Sequence, residues 1–141
     1  MSIMVKIKKI SEIRGGRGFS EEEGSNYKKV NPESITQEGS IDLSKTKPVS
    51  DANLKEEDIC QKNDLIIPLV GPKTTVGLVK DNNLVPGKGC VKLHFNEEEK
   101  AKEVHEYLLS KEGQEKLSKN KTGEALPQIS LSDLKEIDVP L

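Results

Sequence analysis

Arginine, lysine and threonine side chains on glycine- and proline-punctuated stretches are the groups in this sequence with chemistry to offer a partner. Arg14 and Arg17 lie in Arg14-Gly15-Gly16-Arg17-Gly18-Phe19-Ser20, where a flexible backbone carries two guanidinium groups. Each can pair bidentately with a phosphate or a base edge. Lys73, Thr74 and Thr75 follow Gly71-Pro72 between two apolar runs, so an ammonium and two hydroxyls would crown an exposed turn. Lys28 and Lys29 beside Tyr27 make a small basic cluster, and Lys119, Lys121 and Thr122 close a helical stretch. Every one of these groups reads equally well as ordinary solvated surface. The hairpin tip is favoured by its setting, because loops on a rigid scaffold carry function more often than cores do.

Catalysis has no comparable support. The glycines after Arg14 do not fall as G-x-G-x-x-G, those around Lys88 do not match G-x-x-x-x-G-K-[ST], and no serine sits in a G-x-S-x-G elbow. Cys60 and Cys90 are too far apart for a zinc site, and His94 and His105 have no cysteine or carboxylate cluster at metal spacing. No metal or other cofactor is therefore expected, and the cysteines read as reduced thiols. His94 reads as surface and His105 as packing. Asn31-Pro32-Glu33 shares two residues with the Asn-Pro-Pro-aromatic segment of amino methyltransferases but lacks the second proline and the aromatic. Carboxylates gather in runs such as Glu21-Glu22-Glu23 and Glu97-Glu98-Glu99, which usually form solvated faces. A net charge of -2, 3% aromatic residues and no Trp leave the chain neither cationic overall nor equipped to stack bases. Nucleic-acid contact would need a local basic face. A binding module fits better than an enzyme.

The elements that must position these groups follow from periodicity and punctuation. A chain of 141 residues suits one domain, spanning 1–141, with a single core. Its start has no signal-peptide apolar segment, and no stretch approaches the roughly 20 apolar residues of a membrane span, so a cytoplasmic protein with no membrane contact is expected. Leu65 to Val70 and Val76 to Val79 predict two strands of a hairpin. Val5 to Ile13 predicts a strand running into a helical turn at Ser11, and further strands are expected at Tyr27 to Val30 and Ser40 to Leu43. Asn53 to Asp58 suits a turn or short helix, Asn63 a left-handed turn residue, and Lys80 to Gly89 a loop. Cys90 to Phe95 alternates as a half-buried strand with Lys92 and His94 outward. From Asn96 as N-cap, Ala101, Val104, Leu108 and Leu109 predict a helix that Gly113 breaks in two, with Leu117 inward on the second. A capped turn of helix at Ile129 to Leu134 and a final strand at Ile137 to Leu141 complete an α+β, small twisted mixed β-sheet domain with a helical pair.

In order and spacing, several of these pieces resemble a target recognition domain of type I restriction-modification specificity (S) subunits. They are Lys8-Lys9-Ile10-Ser11-Glu12-Ile13 with Gly15 to Phe19, Asn63-Asp64-Leu65-Ile66-Ile67, and Gly71 to Val79. Tyr107 to Gln114, then Gly123 with Ile129 to Leu134 and Ile137 to Leu141, continue the match over nearly the whole chain. The resemblance implies a target-recognition-domain-like fold and a non-catalytic reader of double-stranded DNA. It also implies partners, a DNA adenine methyltransferase (M) subunit and a restriction (R) subunit, brought to a bipartite target. Leu141 falls where such a subunit would enter a long spacer helix, so an excised domain or a half-subunit is expected. Two other readings stand beside this one. One is a protein-interaction module that docks through the helix from Asn96, and the other is the recognition domain of a fused methyltransferase-endonuclease.

Overall fold

The run Leu65-Ile66-Ile67-Pro68 is buried at every position. A strand with one wet face would alternate, so both faces of this one must be covered. The computed structural model, which describes residues 3–72, 74–123 and 126–141, shows how. Its strands are Met4–Lys6 (β1), Glu12–Gly15 (β2), Lys28–Val30 (β3), Lys47–Pro48 (β4), Leu65–Pro68 (β5), Gly77–Leu78 (β6), Leu84–Pro86 (β7), Cys90–His94 (β8) and Asp138–Pro140 (β9). Its α-helices are Ile7–Ile10 (α1), Glu98–Leu109 (α2), Lys111–Lys119 (α3) and Leu131–Lys135 (α4).

The central sheet has the order β2-β8-β5-β6 and is antiparallel throughout. Leu65 and Ile67 of β5, with Val91 and Leu93 of β8, point to the face covered by Val104 and Leu108 of α2, Leu117 of α3, Leu134 of α4 and Val139 of β9. Ile66 and Cys90 point the other way, into a cluster with Val30, Ile35, Cys60, Val79 and Leu84. A third cluster joins Phe19, Val49 and Val85, so the buried side chains form three groups where one core was expected. The second cluster is roofed by a smaller sheet of order β4-β3-β7, in which β3 runs parallel to β7. β1 and β9 pair separately. Cys60 and Cys90 are free, and burial pushes both thiols up to about 12. Among the described residues, no helix is long and apolar enough to cross a membrane.

The hairpin, the strands at Lys28 and Cys90, the positive φ of Asn63 (73°), the helix capped by Ser130 and the last strand match expectation. Other segments differ for local reasons. The first strand is interrupted by a helical turn before Ser11, whose hydroxyl donates to Ile7 O at 2.8 Å, and β2 starts afresh after it. Around Ser40 there is one bridge, Ile35 to Ile41, and Asp42 then caps a single 3-10 turn, Leu43–Lys45. Leu84–Pro86 is a buried strand inside a segment expected as loop, because Asn83, with φ 63°, has already turned the chain. The long helix begins at Glu98, with Glu97 and not Asn96 before it, and it breaks at Ser110. Ser110 has extended backbone, and its hydroxyl accepts from Gly113 N at 3.2 Å. Gly113 lies within α3, where a Cβ would meet Tyr107 O at 2.1 Å, so this glycine permits close packing and does not end a helix.

Candidate nucleic-acid interface

The register of the central sheet gathers a set of loops at one end. β2 and β5 end at Gly15 and Pro68, while β8 and β6 begin at Cys90 and Gly77, and all four positions lie on the same side of the sheet. Gly16 N donates to Cys90 O at 2.8 Å, Gly87 N to Val30 O at 2.9 Å, and Leu69 N to Gly89 O at 2.7 Å. Those bonds bring the Arg17 loop, the Asn31 corner, the Lys88 turn and the hairpin tip together. The crossing of the first and third is too tight for side chains, since a Cβ on Gly16 would lie 1.9 Å from Gly87 O. Four strands at about 4.8 Å spacing make this end roughly 14 Å wide. The major groove of B-DNA is about 12 Å wide.

The hairpin tip is braced from the tail. Val70 bridges Gln128, Gly71 N donates to Pro127 O at 2.7 Å, and Ile129 N donates to Leu69 O at 2.8 Å. Gly71 has φ 103°, a left-handed conformation suited to glycine, and its carbonyl accepts from Lys121 Nζ at 2.6 Å. Burial lowers the pKa of Lys121. Thr122 and Gln128 exchange backbone bonds of 2.8 and 2.9 Å, which brings these two residues together beside the hairpin. Thr74 is held by Gln114 through both its hydroxyl and its carbonyl.

The sequence predicts an exposed tip at Lys73, Thr74 and Thr75. Lys73 lies outside the described residues. Thr75 is 2% exposed, so it belongs to the scaffold, and Thr74 is half-buried against Gln114. Lys121 is half-buried beneath the hairpin, whereas Lys119 and Thr122 are exposed. The tip residues and the tail residues, separate in sequence, thus share one end of the fold.

Arg14 and Arg17 are occupied. Arg14 Nε donates to Asp58 Oδ1 at 2.9 Å, Arg17 Nη2 to Asp58 Oδ2 at 2.5 Å, and Asp58 itself is 1% exposed. Arg17 also donates to Asn53 O at 2.7 Å and lies 5.0 Å from the Phe19 ring centroid. Burial alone would raise the Asp58 pKa. Hydrogen bonds from Arg17, Lys55 N and Arg14 outweigh it and hold the carboxyl at about 2. The hydrogen bond to Asp58 correspondingly raises the pKa of Arg17. Lys28 is exposed beside Asn83, at the end of β3 away from Val30. Lys29 is half-buried 3.6 Å from Glu21. These two lysines are not on the loop end.

Two exposed polar side chains at the loop end were not singled out from sequence, Lys88 and Gln128. The Pro86-Gly87-Lys88-Gly89 pattern marks a turn that displays Lys88, but nothing local distinguishes Gln128. Sequence also gave no sign of Asp58, which sits in a run of acidic residues. The other end of the sheet has a different character. There Asp64, 1% exposed, accepts from Gln61 N at 2.8 Å and lies 2.6 Å from His94 Nδ1. A concavity of about 470 Å³ opens beside His94, lined by Glu12, Glu56 and Glu57 as well as Arg14 and Lys92. Lys92, expected to face outward, is 7% exposed and donates to the Glu57 and Ile59 carbonyls at 2.6 and 3.3 Å. His105 joins Gly39 O and Val76 O at 2.9 and 3.1 Å, so it ties the polar 36–41 turn to the sheet in addition to packing.

The profile of the type I restriction modification DNA specificity domain matches residues 3–141. Among solved structures, the chain is similar to the S subunit of a type-I restriction-modification system from M. genitalium, with TM-score 0.68 and 19% identity over 100% of this chain and 34% of that one. It is also similar to the HsdS subunit from Thermoanaerobacter tengcongensis, with TM-score 0.66 and 16% identity over 99% of this chain and 33% of that one. The chain therefore spans about a third of the length of either structure. No curated protein matches it.

Proposed function

The chain belongs to the type I restriction modification DNA specificity domain family, and from that premise we propose that it is a sequence-specific reader of double-stranded DNA. It performs no catalysis of its own. It acts as a single recognition domain in the cytoplasm and directs a DNA adenine methyltransferase (M) subunit and a restriction (R) subunit to the target.

The observation that carries this reading is the convergence of the Lys88 turn, the hairpin tip and the Thr122–Gln128 loop at one end of the sheet. Lysine can contact guanine O6 and N7 or a phosphate, threonine can contact either, and glutamine can pair with adenine N6 and N7. Lys88, Lys119, Thr122 and Gln128 supply those groups on exposed positions. Arg14 and Arg17 contribute by fixing their loop through Asp58 and leave base contact to others. Lys28 and Lys29, at a distance from the loop end, serve at most the flanking backbone.

The test is binding of the chain to a randomised duplex pool, with and without the methyltransferase subunit, followed by a salt titration on the recovered sequence. Enrichment of a defined sequence is expected, with a log-log salt slope of about 0.9 per phosphate neutralised. No enrichment in either condition would overturn the reading.

A further inference from the structure

The geometry points to Gln114 as a positioning residue that holds the hairpin tip in its reading conformation, a role that rests on the DNA-reading proposal above. Gln114 sits in the first turn of α3 and is joined to the hairpin 40 residues earlier. Its Nε2 donates to Thr74 O at 2.9 Å and to Leu108 O at 2.6 Å, and its Oε1 accepts from the Thr74 hydroxyl. One amide thus engages both the backbone and the side chain of a single loop residue and anchors them to the last turn of α2. With both Nε2 hydrogens and the Oε1 acceptor in use, this side chain is directed inward to the loop and not outward to a partner.

Thr74 changes its meaning accordingly. Its hydroxyl proton is committed to Gln114, so the residue acts as the gripping point of the loop. The loop needs such a grip. Among the described residues the ladder of the hairpin comprises the pairs Leu65 to Leu78 and Ile66 to Gly77, and the residues beyond it are held by tertiary bonds. On one flank the Gly71 corner has Pro127 and Lys121 as its braces. On the other flank Gln114 holds Thr74, and His105 meets Val76 O two residues on. A loop ordered in advance loses less freedom on binding, so the grip favours the one duplex that fits its fixed shape.

Gln114→Met keeps the length and neutrality of the side chain while removing its donors and its amide acceptor, and Thr74→Val removes the hydroxyl at constant shape. Each variant of the full chain is compared with the wild type in two measurements. The first is amide hydrogen exchange at residues 74–78. The second is affinity for a duplex recovered from the randomised pool against a scrambled duplex of equal length. Exchange at the hairpin is expected to accelerate about tenfold while exchange in β8 stays unchanged. Affinity for the recovered duplex is expected to fall about tenfold in Gln114→Met, with scrambled-duplex affinity and salt slope unchanged. The double variant should lose less than the two single losses combined, because both remove the same bond. Equal loss on both duplexes, or unaltered hairpin exchange, would overturn the role. Should the wild type bind no duplex, the DNA reading and this role fall together, and faster exchange would then identify the brace as purely structural.

Discussion

Arg14 and Arg17 carry the same charge as Lys88 and Lys119, and the fold puts the two pairs to opposite uses. The arginines turn inward onto a carboxylate that is 1% exposed. The lysines stand in water on a turn and a helix end. The difference lies in what the chain places opposite each pair. Asp58 comes to the arginines on a 3-10 turn, Glu56–Asp58, and the N–H of Lys55, the residue that caps that turn, also donates to it. No ion pair to Lys88 or Lys119 is formed among the described residues. A glycine-rich stretch with two arginines reads as an anion site in sequence, yet here it is a structural fastening. Under the proposed reading, the groups offered to a duplex are the exposed ones without such an internal claim.

The comparison breaks most readily at the crossing beneath the arginine loop. Gly16→Ala places a Cβ 1.9 Å from Gly87 O, a backbone atom that cannot move aside cheaply. A loss of more than about 3 kcal/mol is expected in urea unfolding, the scale of overpacking in a closed site. Asp58→Ala comes next. It removes the common partner of both arginines and the bond to Lys55 N, and a cost of about 3 kcal/mol is expected, reduced from a fully buried pair because both guanidiniums reach solvent. Lys88→Ala by contrast should stay within about 0.5 kcal/mol of the wild type.

Acid sharpens the same contrast. The folded pKa of Asp58, about 2, is depressed below its ordinary 3.8, so its contribution is fully present above pH 4 and is lost as pH falls through 2. That contribution is about 2 kcal/mol. Unfolding free energies from urea titrations should fall by that much more between pH 5 and pH 2 in the wild type than in Asp58→Ala. The smallest expected effect is on DNA. Lys88→Ala and Lys119→Ala should each reduce the salt slope of duplex binding by about 0.9 if the side chain meets a phosphate. Arg14→Ala should leave that slope unchanged.

Much of the fold was legible in the sequence because period and punctuation are local signals. The run at Leu65, the alternation from Val91 to Phe95 and the spacing of Ala101, Val104 and Leu108 each name the element they form. What escaped depended on partners distant in the chain. Leu84–Pro86 is a strand because β3 lies beside it, and three consecutive buried residues among asparagines and glycines do not announce that. Gly113 reads as a helix breaker, but its requirement is the carbonyl of Tyr107 pressed against it. The candidate site was half legible. Glycine, lysine and threonine types pointed to loops as candidates for contact, while the inward pull of Asp58 on two arginines, of Gln114 on Thr74 and of the Gly71 carbonyl on Lys121 appeared only once the chain had folded.

Charge reversal at the two ends of the central sheet tests the location of the duplex most directly. Lys88→Glu with Lys119→Glu alters the loop end, and Lys62→Glu with Lys80→Glu makes the same change in charge on exposed residues at the far end. Affinity for the duplex recovered from the randomised pool should fall at least a hundredfold, or about 3 kcal/mol, in the first double variant and by only a few-fold in the second. Equal losses, or a greater loss from the far-end pair, would contradict a duplex seated on the loops.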